Sequence, residues 1–239
     1  MSGWHTRPFA AWDLETTAAD PEQARIVTST LVVIDGGQVD PQEWLVDPGV
    51  PIPKQAAAIH GVTTERAQAE GMDAVGAVLD IATAIAKVWS DGMPLVIYNA
   101  NYDCTVLDRE LHRHHGHGFD VSGPVIDPYV IDKALDRYRR GSRTLSAAVA
   151  HYGVTLTDAH SSLGDCLGAA RVAWRLAQRY PQQMSDLVEL HNQQVKWKAD
   201  QAASFADYLR RQGKPADDVR GDWPLVPFVA SPACVGAES

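Results

Sequence analysis

Cysteine is scarce in this chain, with three among 239 residues (Cys104, Cys166 and Cys234) and no C-x-x-C pair. That pattern excludes a disulfide scaffold and a zinc ribbon, and it suits a reducing compartment. Long apolar runs are missing too. The stretch Met93 to Ile97 is strand-sized, far short of the roughly 20 residues a bilayer needs, so no membrane partner is expected. The opening MSGWHTRPFA lacks the charged-then-apolar pattern of a secretory signal, so a cytoplasmic, intracellular location is expected. Positive charge is also in deficit: 21 Lys and Arg against 30 Asp and Glu give a net charge of -9. A protein that coats nucleic acid non-specifically would be broadly basic. An acidic balance leaves room for an enzyme whose acids gather where cations bind. Internal repeats and low-complexity tracts are absent.

What remains is an ordinary globular composition, 45% hydrophobic and 21% charged. The length suits one large domain, or one domain with an extension. Phe9 to Leu14 reads as a short apolar strand. Arg25 to Asp35 is β-branched and ends at Gly36-Gly37, a hairpin signal, and Gln38 to Val46 returns as a third strand. Short helical pieces follow at Lys54 to His60 and Thr63 to Ala69. Asp73 to Trp89 has apolar residues at helical spacing. Pro94 to Tyr98 and Pro124 to Ile126 are short strands. Helices are expected over Asn101 to His115, Pro128 to Arg139 and Thr144 to Tyr152. Ser162 to Arg179 carries a strong apolar stripe, and a last helix runs from Gln182 to about Arg211. A meander followed by alternating strands and helices predicts an α/β fold, a mixed five-stranded sheet flanked by helices.

Acids fall at the ends of these elements. Asp13 and Glu15, two apart on the first strand, point to one face. At about 5 Å and an effective dielectric near 20 they repel by roughly 3 kcal/mol, which a divalent cation between them would relieve. Two solvated loop acids are the plainer alternative. Asp103 opens the helix after the strand PLVIY, where an acid also suits the helix dipole and Asn101 can cap. His160 and Asp165 flank the start of the late helix, where Ser162 and Asp165 also resemble a capping box.

Taken in order, these phrases resemble the DnaQ-like 3′-5′ exonuclease family, in its DEDDh subgroup. Trp12-Asp13-Leu14-Glu15-Thr16-Thr17 is close to the family's D-x-E-T-T-G, and Arg25-Ile26-Val27 resembles its continuation. Ala58 to Thr63 (AIHGVT) resembles an I/V-H-G-I-T phrase, and Asn99-Ala100-Asn101-Tyr102-Asp103 resembles N-A-x-F-D. Ala159 to Asp165 resembles A-H-x-A-x-x-D. The His160 to Asp165 spacing selects the histidine subgroup over the one with a Tyr four residues before the Asp. Ala18, Tyr98 and Ser162 depart from the family pattern, and none of these departures removes a catalytic side chain.

The resemblance implies an RNase H-like domain over residues 7–180, followed by a C-terminal helical extension and Pro-rich tail over 181–239. It implies a metal-dependent 3′-5′ exonuclease that hydrolyses DNA to nucleoside 5′-monophosphates in proofreading or repair. Asp13, Glu15, Asp103 and Asp165 would hold two divalent ions, Mg²⁺ or Mn²⁺, with Asp13 bridging them. His160 would be the general base. Leu14 (through its backbone) and Thr16 would hold the terminal sugar, and His60 would approach the terminal nucleotide or its phosphate, a loop-packing histidine being the plainer alternative. Asn99 would contact the substrate or order the turn before Asp103. The expected partner is a single-stranded or frayed 3′ end, together with a DNA polymerase. Two alternatives stay open: the same chemistry on RNA, as in RNase T or oligoribonuclease, and a non-catalytic nucleic-acid-binding or polymerase-accessory module.

Other features are open at this level. The cluster His112, His114, His115 and His117 reads as a metal site or as a solvated helix end. Arg109, Arg113, Arg137, Arg139, Arg140 and Arg143 read as a basic surface for a nucleic-acid backbone or as ordinary surface residues. Cys104 and Cys166 read as small buried helix residues. The tail around Trp223 reads as a segment that docks back or binds a partner.

Overall fold

Strand β1 (Phe9–Thr16) is buried on both faces over its first residues, the pattern of a central strand. It pairs antiparallel with β2 (Ile26–Asp35), which turns through Gly36-Gly37 into antiparallel β3 (Gln38–Asp47). The protein is described from a computed structural model, over residues 3–155 and 161–229. On its other side β1 pairs parallel with β5 (Leu95–Val96), which pairs parallel with β6 (Val125–Ile126).

Among the described residues the sheet has six strands, in the order β4 (Met72–Asp73)-β3-β2-β1-β5-β6, one more than the sequence predicts. The extra strand, β4 (Met72–Asp73), pairs parallel with Val46 and Asp47. Two residues are too few to carry a period-2 pattern. Gly71 permits the approach, since a Cβ there would lie 2.6 Å from the Asp47 nitrogen.

Helices cover both faces. Ala10, Trp12 and Leu14 of β1 face a core built from α3 (Ala74–Ser90) and α4 (Ala100–His115). Phe9 and Ala11 face the opposite core, built largely from α5 (Pro128–Leu135), α6 (Leu145–His151) and α7 (Ser162–Arg179). Two short helices, α1 (Lys54–His60) and α2 (Thr64–Glu70), close one end of the sheet with Ile52 and Val62.

The last helix, α8 (Leu187–Arg211), covers the β6 edge. His191 Nδ1 accepts the Val125 N–H at 3.2 Å. Gln194, fully buried, donates to the Val125 carbonyl at 2.9 Å and accepts the Asp127 N–H at 2.6 Å. The β6 edge is thereby satisfied by side chains rather than by another strand. Among the described residues no helix is long and apolar enough to cross a membrane.

Candidate active site

Alternation along β1 puts Asp13 and Glu15 on the face that packs against α7. They lie opposite Thr30 and Thr28 of β2, and the register slips between Glu15 and Thr16. Asp165 sits in the first turn of α7. One carboxylate oxygen from each of Asp13, Glu15 and Asp165 lies within 4.8 Å of the others. The cap of α7 differs from the sequence expectation: Ser161 accepts the Gly164 N–H at 3.0 Å. Ser162 instead meets Thr28 Oγ1 at 2.8 Å, tying the helix start to the sheet.

Asp103 approaches from the other side of β1. It is buried in the first turn of α4, and its Oδ1 accepts the Leu14 N–H at 3.2 Å. Two strands and two helices thus converge at the carboxyl end of the parallel strands. His160 lies outside the described residues.

The electrostatics follow from crowding acids in a poorly solvated place. Burial, then the charges of Asp103, Glu15 and Asp165, pushes Asp13 well above the usual carboxylate range. Burial and Asp165 push Glu15 up to about 7. Burial raises Asp103 as well, against the backbone N–H bonds that pull the other way. The donor set is all oxygen and strongly anionic. It therefore fits a hard divalent cation, whose binding would displace the shared protons.

A cleft of about 450 Å³ opens beside Glu15, lined also by Thr28, Glu43, His60, Arg66 and Ser161. Glu43 and Arg66 belong to no motif, so the sequence does not mark them. His60 ends α1, where Gly61 takes a left-handed conformation (φ 75°) that lets the chain turn back. His60 Nδ1 accepts the Val62 N–H at 3.2 Å, and its buried Nε2 has no hydrogen-bond partner among the described residues. Burial lowers the His60 pKa. The neutral ring therefore carries its proton on Nε2. The Thr16 hydroxyl is held by the Ala18 carbonyl at 3.0 Å and by Tyr102 Oη.

The turn before α4 depends on a residue that the motifs did not single out. Asn99, expected to order this turn, adopts φ 64°, the one positive φ among the described non-glycine residues. Asn101, expected as cap, instead donates to the Asp222 carbonyl at 2.7 Å. The turn is held by Asp127, fully buried. Its carboxylate accepts the N–H groups of Asn99 at 2.9 Å, Ala100 at 3.0 Å and Tyr129 at 3.0 Å, and the Trp223 indole N–H at 3.1 Å. The C-terminal tail thus docks on the domain and reaches the support of Asp103. A lone Asp before Pro128 reads as a helix cap, and its second task left no signal.

Most of the arginines expected on a basic surface are engaged in ion pairs. Arg109 grips Glu22 through two contacts at 2.7 Å. Arg113 meets the buried Glu110. Arg139 and Arg143 meet the buried Asp132 at 2.7 and 2.8 Å. Arg137 and Arg140 remain exposed. The histidine cluster gathers no metal-ligating group among the described residues; His112 stacks on Phe228 instead. Cys104 and Cys166 are buried, and burial pushes both thiols up.

Comparison with known proteins agrees with this architecture. Residues 11–173 match the family model RNase_T, described as Exonuclease. A DNA polymerase III subunit epsilon-like protein of Rhodobacter capsulatus is 29% identical over 180 residues, 70% of this chain and 23% of that protein. A PolC-type DNA polymerase III of Thermotoga maritima is 28% identical over 171 residues, 71% of this chain and 12% of that protein. The chain therefore spans less than a quarter of the length of these relatives. In fold it resembles E. coli Exonuclease I in complex with a dT13 oligonucleotide, with TM-score 0.60 and 18% identity, covering 73% of this chain and 42% of that one. Exonuclease I from Methylocaldum szegediense is similar at TM-score 0.59 and 19% identity, covering 74% and 41%. With the family model spanning most of its length, the chain belongs to the RNase T exonuclease family, with the DnaQ-like, RNase H-like fold.

Proposed function

We propose that the protein is a metal-dependent 3′-5′ exonuclease that shortens DNA from the 3′ end, releasing nucleoside 5′-monophosphates, in proofreading or repair. The observation that carries this reading is the convergence of Asp13, Glu15 and Asp165 within 4.8 Å, with Asp103 bound behind them to the Leu14 N–H. The DNA polymerase III names of the relatives favour DNA over RNA and a polymerase as partner. Residues 7–180 would form the nuclease domain and 181–239 an extension that supports it.

Asp13, Glu15, Asp103 and Asp165 would hold two divalent ions, Mg²⁺ or Mn²⁺. Such a pair, when bound, stabilises charge on the attacking and leaving oxygens of a phosphodiester. His160 takes the proton of the attacking water, a task an imidazole of ordinary pKa performs near neutrality. His60, neutral and with Nε2–H unpartnered among the described residues, donates to the terminal phosphate or sugar. Tyr102 and the Ala18 carbonyl fix the Thr16 side chain beside that nucleotide. Leu14, whose N–H is bound to Asp103, offers its remaining backbone to the sugar, and Asn99 acts through the turn it forms.

The test is digestion of 5′-labelled single-stranded DNA and matching RNA with Mg²⁺ or EDTA. The expected result is a ladder that shortens from the 3′ end, faster on DNA and abolished by EDTA. Early release of the 5′ label as a mononucleotide would overturn the polarity, and faster decay of RNA the substrate.

A further inference from the structure

A groove runs between α5 and α8, on the side of the molecule where the extension packs. One stretch, about 450 Å³, is lined by Lys133, Arg137, Trp197, Gln201, Phe205 and Tyr208, with Asp200 and Ser204 at its wall. A second, about 210 Å³, shares Lys133, Gln201 and Phe205 and adds Tyr129, Lys198 and Arg220. The shared residues make the two continuous. Its lining carries four cations, Lys133, Arg137, Lys198 and Arg220, against one acid, Asp200, in a chain of net charge -9. Arg220 is paired with Asp222 at 2.9 Å; Lys133, Arg137 and Lys198 form no ion pair among the described residues.

Tyr129 and Trp197 pack partly against the core, and the other two aromatic groups are presented rather than buried. Phe205 and Tyr208 are 51% and 52% exposed, with nearly parallel rings 6.5 Å apart. The Lys133 ammonium sits 4.9 Å over the Tyr129 ring. Among the described residues neither Phe205 nor Tyr208 belongs to a core cluster, and an apolar protein partner would not call for a row of cations beside them. Flat rings interleaved with cations are the chemistry that holds a single strand without reading its sequence.

One end of the groove abuts the catalytic support. Tyr129 and Asn99 donate to the same oxygen of Asp127, and Asn99 opens the turn that carries Asp103. From Trp197 to Tyr208 the platform follows α8 for about 16 Å, the length of about five stacked nucleotides.

We propose that this groove binds the 5′-ward portion of a single-stranded nucleic acid whose 3′ end lies at the acidic cluster. Bases stack on Phe205 and Tyr208, and phosphates lie along Lys133, Arg137 and Lys198. This inference rests on the exonuclease reading above. It adds a length-dependent substrate grip supplied by α8, a helix outside the family match at residues 11–173.

The experiment compares wild type with the double variant Phe205→Ala/Tyr208→Ala and with Lys198→Glu. Binding of labelled oligothymidylates of four and sixteen nucleotides is followed by anisotropy in EDTA. Hydrolysis of thymidine 5′-monophosphate p-nitrophenyl ester with Mn²⁺ reports the acidic cluster separately. The double variant should bind the longer strand at least about tenfold more weakly, the loss expected of a stacking platform, with the short strand unchanged and the ester cleaved at the wild-type rate. Lys198→Glu should weaken the longer strand and flatten its salt dependence. Wild-type affinity for the longer strand in both variants would overturn the proposal and leave a protein as the remaining occupant. A wild-type chain that cleaves the ester but binds both lengths equally would also overturn it, while sparing the exonuclease reading. A chain that binds the longer strand through the groove yet cleaves no ester supports the groove and removes that reading instead.

Discussion

Glu15 titrates at about 7, so at neutral pH the cation-free site is a set of acids sharing protons. Its folded pKa lies above the ordinary 4.5, so the folded state binds more protons than the unfolded chain between those values. That contribution to stability is present below about pH 4.5 and is lost as pH rises through about 7. Asp13 and Asp103 are raised too and act in the same direction. Thermal melts of the cation-free protein should therefore show this cluster's penalty growing between pH 5 and 8, and saturating Mn²⁺ should remove it. A melt at pH 8 that Mn²⁺ leaves unchanged would contradict the electrostatic account. Glu15→Gln should raise the cation-free melting temperature by removing a repelling charge. It should also lower metal-dependent turnover by well over about 100-fold, since outer partners of a metal site already cost that much. Higher stability with normal turnover would mean that Glu15 is a bystander. These acids were visible in the sequence because each falls at an element end within a recognisable phrase. Glu43, Arg66 and Asp127 were not, because their roles come from which loop the fold lays beside them.

Among elements, the extension does more than cover the β6 edge. Gln194 of α8 fixes the Asp127 backbone, and Trp223 of the tail fixes its carboxylate. Asp127 in turn holds the left-handed Asn99 turn that sets Asp103. Trp223→Phe keeps the ring but deletes one N–H to a buried carboxylate, and should cost about 1–3 kcal/mol in urea unfolding. It should also slow metal-dependent turnover while leaving the substrate KM near wild type, and unchanged stability and turnover would refute the link. The long elements were legible: α7 follows its apolar stripe from Ser162 to Arg179, and the β2–β3 hairpin follows its Gly-Gly turn. Shorter features were not. Helix α5 stops at Leu135 rather than Arg139 because Arg139 and Arg143 fold back onto Asp132. Helix α8 begins at Leu187, where Asp186 accepts the Val188 and Glu189 N–H groups, later than the apolar pattern predicts.

At the scale of the whole molecule, charge is segregated. The acidic cluster lies at the carboxyl end of the parallel strands, whereas unpaired cations and exposed rings line the α5–α8 groove. Such segregation would let an acidic protein handle a polyanion without a basic surface overall. The same segregation explains why net charge excluded a non-specific coat but not a nuclease. In the proposed enzyme, acids from β1, α4 and α7 together hold catalytic cations. An anomalous difference map from crystals soaked in Mn²⁺ tests this most directly. Density is expected in the space bounded by Asp13, Glu15 and Asp165, on the side toward Asp103, and none there in Asp13→Ala crystals. Wild-type crystals with no peak at that cluster, or with Mn²⁺ bound elsewhere while the protein degrades DNA, would contradict it.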